Sequence, residues 1–129
     1  IFKRDWFRFY YRQGFEHLAA ETCVALPSPP FDEMLQAWDC AFKGGPQHEG
    51  SHVGGQAWAR SGPNCYLLDY VLERMDFADT CEAVEAMTVR NPKALSKLVE
   101  DAANGPAVVS ALRKRIPGFE LVPTGAKSK

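Results

Sequence analysis

The chain lacks most of the devices that assign a chemistry at sight. It contains no G-x-x-x-x-G-K-[ST] phosphate loop, which excludes nucleotide hydrolysis through that cradle. No Ser-His-Asp or Cys-His arrangement stands out for nucleophilic catalysis. Its four cysteines, Cys23, Cys40, Cys65 and Cys81, include no C-x-x-C pair. His17, His48 and His52 add no spaced zinc set, because His48 and His52 lie in a Gly-rich loop rather than on a helix. There is no secretory segment and no long apolar run, so free thiols in a reducing, cytoplasmic setting are expected, with no membrane partner. Excess charge is also missing: 15 Lys and Arg against 16 Asp and Glu leave a net −1. That balance argues against a stand-alone, tight nucleic-acid binder, but not against a nuclease whose grip comes from another domain. No internal repeat is visible, and the chain opens on Ile1 rather than Met, as an excised piece of a longer protein would.

What is present is a globular composition. With 46% apolar and 24% charged residues in 129, the chain can bury one real core. Residues 1–13 interleave bases with aromatics (Phe2, Lys3, Arg4, Trp6, Phe7, Arg8, Phe9, Tyr10, Tyr11, Arg12). Such a segment can stack on single-stranded nucleic acid, but a packed entry segment that joined a preceding domain is the plainer reading. Residues 14–31 read as a linker ending in Pro27-Ser28-Pro29-Pro30, so residues 1–30 form the entry segment and residues 31–129 the domain.

Within that domain the pattern predicts three strands, at Met34 to Phe42, Val53 to Arg60 and Cys65 to Leu72. A helix follows from Phe77 to Arg90, with Asp76 as N-cap, an apolar face of Phe77, Cys81, Val84 and Thr88, and a stop at Asn91-Pro92. Lys97 to Glu100 is a fourth strand. Asn104-Gly105-Pro106 opens a second helix with Val108, Val109, Leu112 and Ile116 along its stripe, and Phe119 to Val122 is a fifth strand. The order β-β-β-α-β-α-β predicts an α/β, ribonuclease H-like mixed sheet: an antiparallel meander, then parallel strands with crossover helices, incomplete at the C-terminus.

The chemistry-bearing candidates are acids at strand ends. Asp39 closes the first strand of the meander and Asp101 closes the fourth. If those strands are neighbours, the two carboxylates converge and can hold a divalent metal. Glu100 alternates with Asp101 in side-chain direction, so only one of the two faces the metal; Asp101 is the choice because it stands last, and Glu100 is the fallback. Lys43, Asn104 and Gly105 are candidate phosphate or DNA contacts, although a surface lysine and a plain helix start packed close to the sheet explain them as well. Asp69, in the third strand, is either a further metal-facing acid or, on the plainer reading, pairs with Arg74 or Arg60 on a solvated face.

The stretches Phe2-Lys3-Arg4-Asp5-Trp6-Phe7, Ala37-Trp38-Asp39-Cys40-Ala41-Phe42-Lys43, Tyr66-Leu67-Leu68-Asp69, Met75-Asp76-Phe77 and Val99-Glu100-Asp101-Ala102-Ala103-Asn104-Gly105-Pro106-Ala107 together resemble a known family. It is the C-terminal nuclease domain of the large terminase subunit of tailed bacteriophages and prophages. The resemblance implies a metal-dependent DNA endonuclease that cuts concatemeric viral DNA during packaging, in the cytoplasm of a bacterial host. It implies a site holding two Mg2+ or Mn2+ ions through three acids, the first on Asp39, the second on Asp101, the third on a helix beyond Lys129. The implied partners are double-stranded DNA, the terminase ATPase domain, the small terminase subunit and the portal. Two departures stand out: the family's Lys after the second acid is Ala102 here, and the third acid is missing. The competing expectation is a catalytically incomplete prophage-derived module that docks on DNA, portal or ATPase without cutting.

Overall fold

The structure, a computed structural model, describes residues 7–40 and 52–125. The chain divides into two compact units, Ile1–Phe31 and Asp32–Lys129.

In the first unit, β1 (Tyr10–Tyr11) and β2 (Val24–Ala25) pair in parallel, Tyr10 with Val24 and Tyr11 with Ala25. Val24 N–H donates to Phe9 O at 3.0 Å and Leu26 N–H to Tyr11 O at 2.9 Å. The intervening chain turns through Gly14 and a 3-10 turn at Glu16–Leu18, long enough for the crossover that parallel pairing needs. Residues 14–31 are therefore not the plain linker expected. Two-residue strands paired across a loop leave no periodic trace in the sequence.

The second unit is a five-stranded mixed sheet in the order β5-β4-β3-β6-β7, with two helices. Its strands are β3 (Glu33–Asp39), β4 (His52–Ser61), β5 (Asn64–Arg74), β6 (Ser96–Glu100) and β7 (Phe119–Val122). The first three pair antiparallel, while β3 with β6 and β6 with β7 run parallel. A register shift at Ala57/Trp58 leaves Leu68 as the extra residue of a bulge in β5. β3 ends at Asp39, and Ala41 and Phe42 of the expected strand lie outside the described residues.

Helix α1 (Phe77–Arg90) starts where the cap predicts, with Asp79 N–H donating to Asp76 Oδ1 at 2.8 Å. Its buried face is Thr80, Val84 and Met87, whereas Phe77 is exposed. The expected stripe was thus rotated. Thr80 enters the core because its hydroxyl donates to Asp76 O at 2.6 Å, which satisfies the polar group locally. Helix α2 (Gly105–Leu112) buries Val108, Val109 and Leu112, and Ile116 packs against the same core from the turn that follows. α1 is the longest helix among the described residues, and none there is long and apolar enough to cross a membrane.

Trp38, Cys40, Val53, Ala57 and Val99 occupy one face of the sheet and pack with Met75, Val84 and Met87, and with Val108, Val109 and Leu112 of α2. Both helices therefore cover the same face. The opposite face carries Ala37, Asp39, Gln56, Leu98 and Glu100, the alternate residues of the same strands.

Candidate carboxylate site

The parallel register of β3 and β6 sets the site. Trp38 pairs with Val99, so the next residues along the two strands, Asp39 and Glu100, reach the strand ends in step. Strand alternation puts both on the face away from the helices. The Glu100 carboxyl lies in hydrogen-bonding contact with that of Asp39. This contact, then the like charge, then partial burial hold the Glu100 pKa above the ordinary glutamate range.

The pair lines an open cleft of about 580 Å³ together with Ala37, Gly54, Gln56, Leu98 and the exit of β7 from Val122 to Gly125. Gly54 is the residue opposite Asp39 across the β3–β4 ladder, and its missing side chain leaves the space above the acid open. Its neighbour Gly55 serves the other face. A Cβ at Gly55 would overlap the Trp38 indole, so only glycine lets that ring lie flat beneath the strand. The Trp38 Nε1 donates to Gln36 Oε1 at 2.9 Å, and Gln36 Nε2 donates to Thr88 Oγ1 at 3.1 Å. The Thr88 hydroxyl in turn donates to Val84 O at 2.8 Å. This buried chain anchors β3 to α1 directly beneath Asp39. The Gly54-Gly55 pair and Gln36 were not singled out from sequence; two adjacent glycines inside an otherwise clear strand were the available signal.

Asp101 sits elsewhere. β6 ends at Glu100, and Asp101 lies in the bend beyond it, exposed, with its N–H donated to Val122 O at 2.8 Å. It is not among the residues lining the cleft. The acid brought to Asp39 is thus Glu100, the fallback: β6 ends at Glu100, where the strand was expected to end, and alternation puts that last residue on the Asp39 face while Asp101 falls beyond the strand.

Asn104 and Gly105 form the corner that follows. Asn104 makes no side-chain cap bond, and its N–H donates to Cys40 O at 3.4 Å. Gly105 is buried, and a Cβ on it would overlap the Glu100 carbonyl oxygen. Ala103 holds φ at +50°, a left-handed conformation costing an alanine on the order of 1 kcal/mol. These contacts describe a helix start packed against the strand end. Lys43 lies outside the described residues.

Two neighbouring groups are structural. The Cys40 thiol is pushed up to about 11, first by burial and then by the charges of Asp39, Cys81 and Glu100, which makes it a poor nucleophile. Asp69 pairs with neither Arg74 nor Arg60 in the bonds that define its place. It accepts from Arg90 Nε and from Asn91 Nδ2, both at 2.8 Å, and so ties β5 to the end of α1.

Among the described residues no group of three or more His, Cys, Asp or Glu side chains gathers as a metal-binding set. Asp39 and Glu100 nevertheless fit as two members of one. They are hard oxygen donors held together against their own repulsion, and a divalent cation relieves that repulsion.

No family model matches the chain, and no curated protein matches it. Among solved structures, the crystal structure of the Aquifex aeolicus member of the Ppx/GppA protein family is similar with a TM-score of 0.43 and 8% sequence identity, over 70% of this chain and 35% of that one. The chain thus spans about 35% of the length of that protein.

Proposed function

We propose that this chain is the nuclease portion of a phage or prophage DNA-packaging terminase, and that Asp39 and Glu100 hold Mg2+ or Mn2+ for phosphodiester hydrolysis. The observation that carries the reading is the meeting of two carboxyls at the ends of adjacent parallel strands beside an open cleft. An antiparallel meander followed by parallel strands agrees with the ribonuclease H-like sheet that the terminase resemblance implies. The family's sequence frame supports the reading at Asp39; at the second acid that frame marks Asp101, and Glu100 takes its place here. The metal supplies an activated water and charge stabilisation for the leaving oxygen when bound. The chain's own contribution is to fix the two carboxyls on one rigid ladder and to leave the space above Asp39 open through Gly54. Asp101 has no place in the cation site in this reading. Double-stranded DNA is the substrate, the ATPase, small subunit and portal are partners, and the bacterial cytoplasm is the place of action.

The test is plasmid cleavage with Mn2+, comparing the chain within its parent protein with Asp39→Asn, Glu100→Gln and Asp101→Asn. Loss of nicking in the first two and retention in the third supports the assignment. Intact cleavage by both Asp39→Asn and Glu100→Gln rejects it. A parent protein that shifts DNA in a gel but never cuts favours the docking module instead.

A further inference from the structure

We infer that the corner Ala103-Asn104-Gly105 is the positioning element that sets the spacing of Asp39 and Glu100, with Gly105 as its decisive residue. This rests on the cation-site reading above and extends it to residues that touch no ligand.

Three observations converge on that corner. The Asn104 N–H donates to Cys40 O, so the corner holds the backbone immediately after Asp39. Gly105 lies so close to the Glu100 carbonyl that any side chain would displace it, so the same corner also holds the backbone of Glu100 itself. Ala103, between Asp101 and these two residues, is kept at positive φ, a conformation that persists only where the surrounding contacts determine it. One rigid turn therefore touches the chain next to both acids. A third tie, from Asp101 N–H to Val122 O, joins it to the strand whose exit lines the cleft.

The consequence is preorganisation. Two carboxyls in contact repel once both are charged, and something other than their own attraction must keep them together in the absence of a cation. The β3–β6 ladder does this as far as Trp38 and Val99, and the corner does it at the very end, where the ladder stops. Gly105→Ala pushes the Glu100 carbonyl away from α2 and so moves the Glu100 side chain off Asp39. Ala103→Val, at an exposed position, makes the left-handed conformation costlier and so works against the corner from outside the core.

The experiment measures two quantities on wild type, Gly105→Ala and Ala103→Val, with Ala103→Gly as the control. The first is the carboxyl 13C resonance of Glu100 at fixed pH, which reports contact with Asp39 whether or not a cation is bound. The second is Mn2+ affinity by paramagnetic resonance. Gly105→Ala is expected to move the resonance toward that of a solvated glutamate and to weaken Mn2+ binding roughly 10- to 100-fold, as loss of a supporting contact behind a metal ligand does. Ala103→Val is expected to move the resonance in the same direction and to weaken Mn2+ binding severalfold, whereas Ala103→Gly, which eases the same positive-φ conformation, is expected to leave both at wild type. An unmoved resonance in folded Gly105→Ala overturns the inference. If that variant does not fold, a wild-type resonance in Ala103→Val overturns it instead. A wild type that binds no Mn2+ removes the cation reading alone, and the Glu100 resonance still decides the positioning role.

Discussion

Trp38 and Gly55 face each other across the β3–β4 ladder, and the indole fills the space that any side chain at position 55 would need. The contact lies on the covered face, one residue before Asp39 and beneath it. Gly55→Ala is therefore expected to destabilise the fold by about 1–3 kcal/mol, the usual cost of overpacking a core. Urea denaturation checks this, and wild-type stability in Gly55→Ala would contradict the packing described.

The polar chain behind Trp38 gives a second expectation. Gln36→Leu removes the acceptor for the buried Trp38 Nε1 and the donor to Thr88. An unsatisfied buried indole N–H costs about 1–3 kcal/mol, and the loss should appear in the same denaturation assay. Trp38→Phe in the Gln36→Leu background removes the orphaned donor, so the two changes together should cost less than their sum.

The acid pair predicts a stability gain from a functional loss. Because Glu100 titrates above its ordinary range when folded, the folded state binds more protons than the unfolded state in that interval. The contribution of Glu100 to stability is present below its unfolded pKa and is lost as pH rises through the raised folded value. At neutral pH without divalent metal, Asp39→Asn should melt above wild type, and the difference should vanish in acid. A scan of melting temperature against pH for both proteins checks the sign.

Asp69 runs the other way. Burial acts to raise its pKa, but the hydrogen bonds from Arg90 and Asn91, with the Arg90 charge, outweigh that and hold it below the ordinary aspartate range. Its stabilising contribution is present above the unfolded pKa, near 3.9, and is lost as pH falls through the lower folded value. Asp69→Asn should therefore be less stable than wild type at neutral pH, with the gap closing below about pH 4.

The meander, both helices and the parallel pair at the end were legible because their signals are local: the Asp76 cap, the Asn91-Pro92 stop, Pro106 at a helix start, and alternation along β4. The choice between Glu100 and Asp101 was less secure, since it turned on a single residue of strand length, and a slip of one reverses the face. The buried face of α1 was misread because Thr80 is polar in composition but satisfied by its own helix. The Tyr10–Tyr11 and Val24–Ala25 ladder was invisible because pairs that short carry no period. Gly105 was visible as a helix start, but its contact with the Glu100 carbonyl depends on the packing of α2 against β6, which no local pattern encodes.

The measurement that bears most directly on the account is a calorimetric Mn2+ titration of wild type, Asp39→Asn, Glu100→Gln and Asp101→Asn. The account predicts binding to wild type and Asp101→Asn, and its loss in Asp39→Asn and Glu100→Gln. Binding that survives Glu100→Gln but disappears in Asp101→Asn would contradict it, and would return the second ligand to the bend beyond β6.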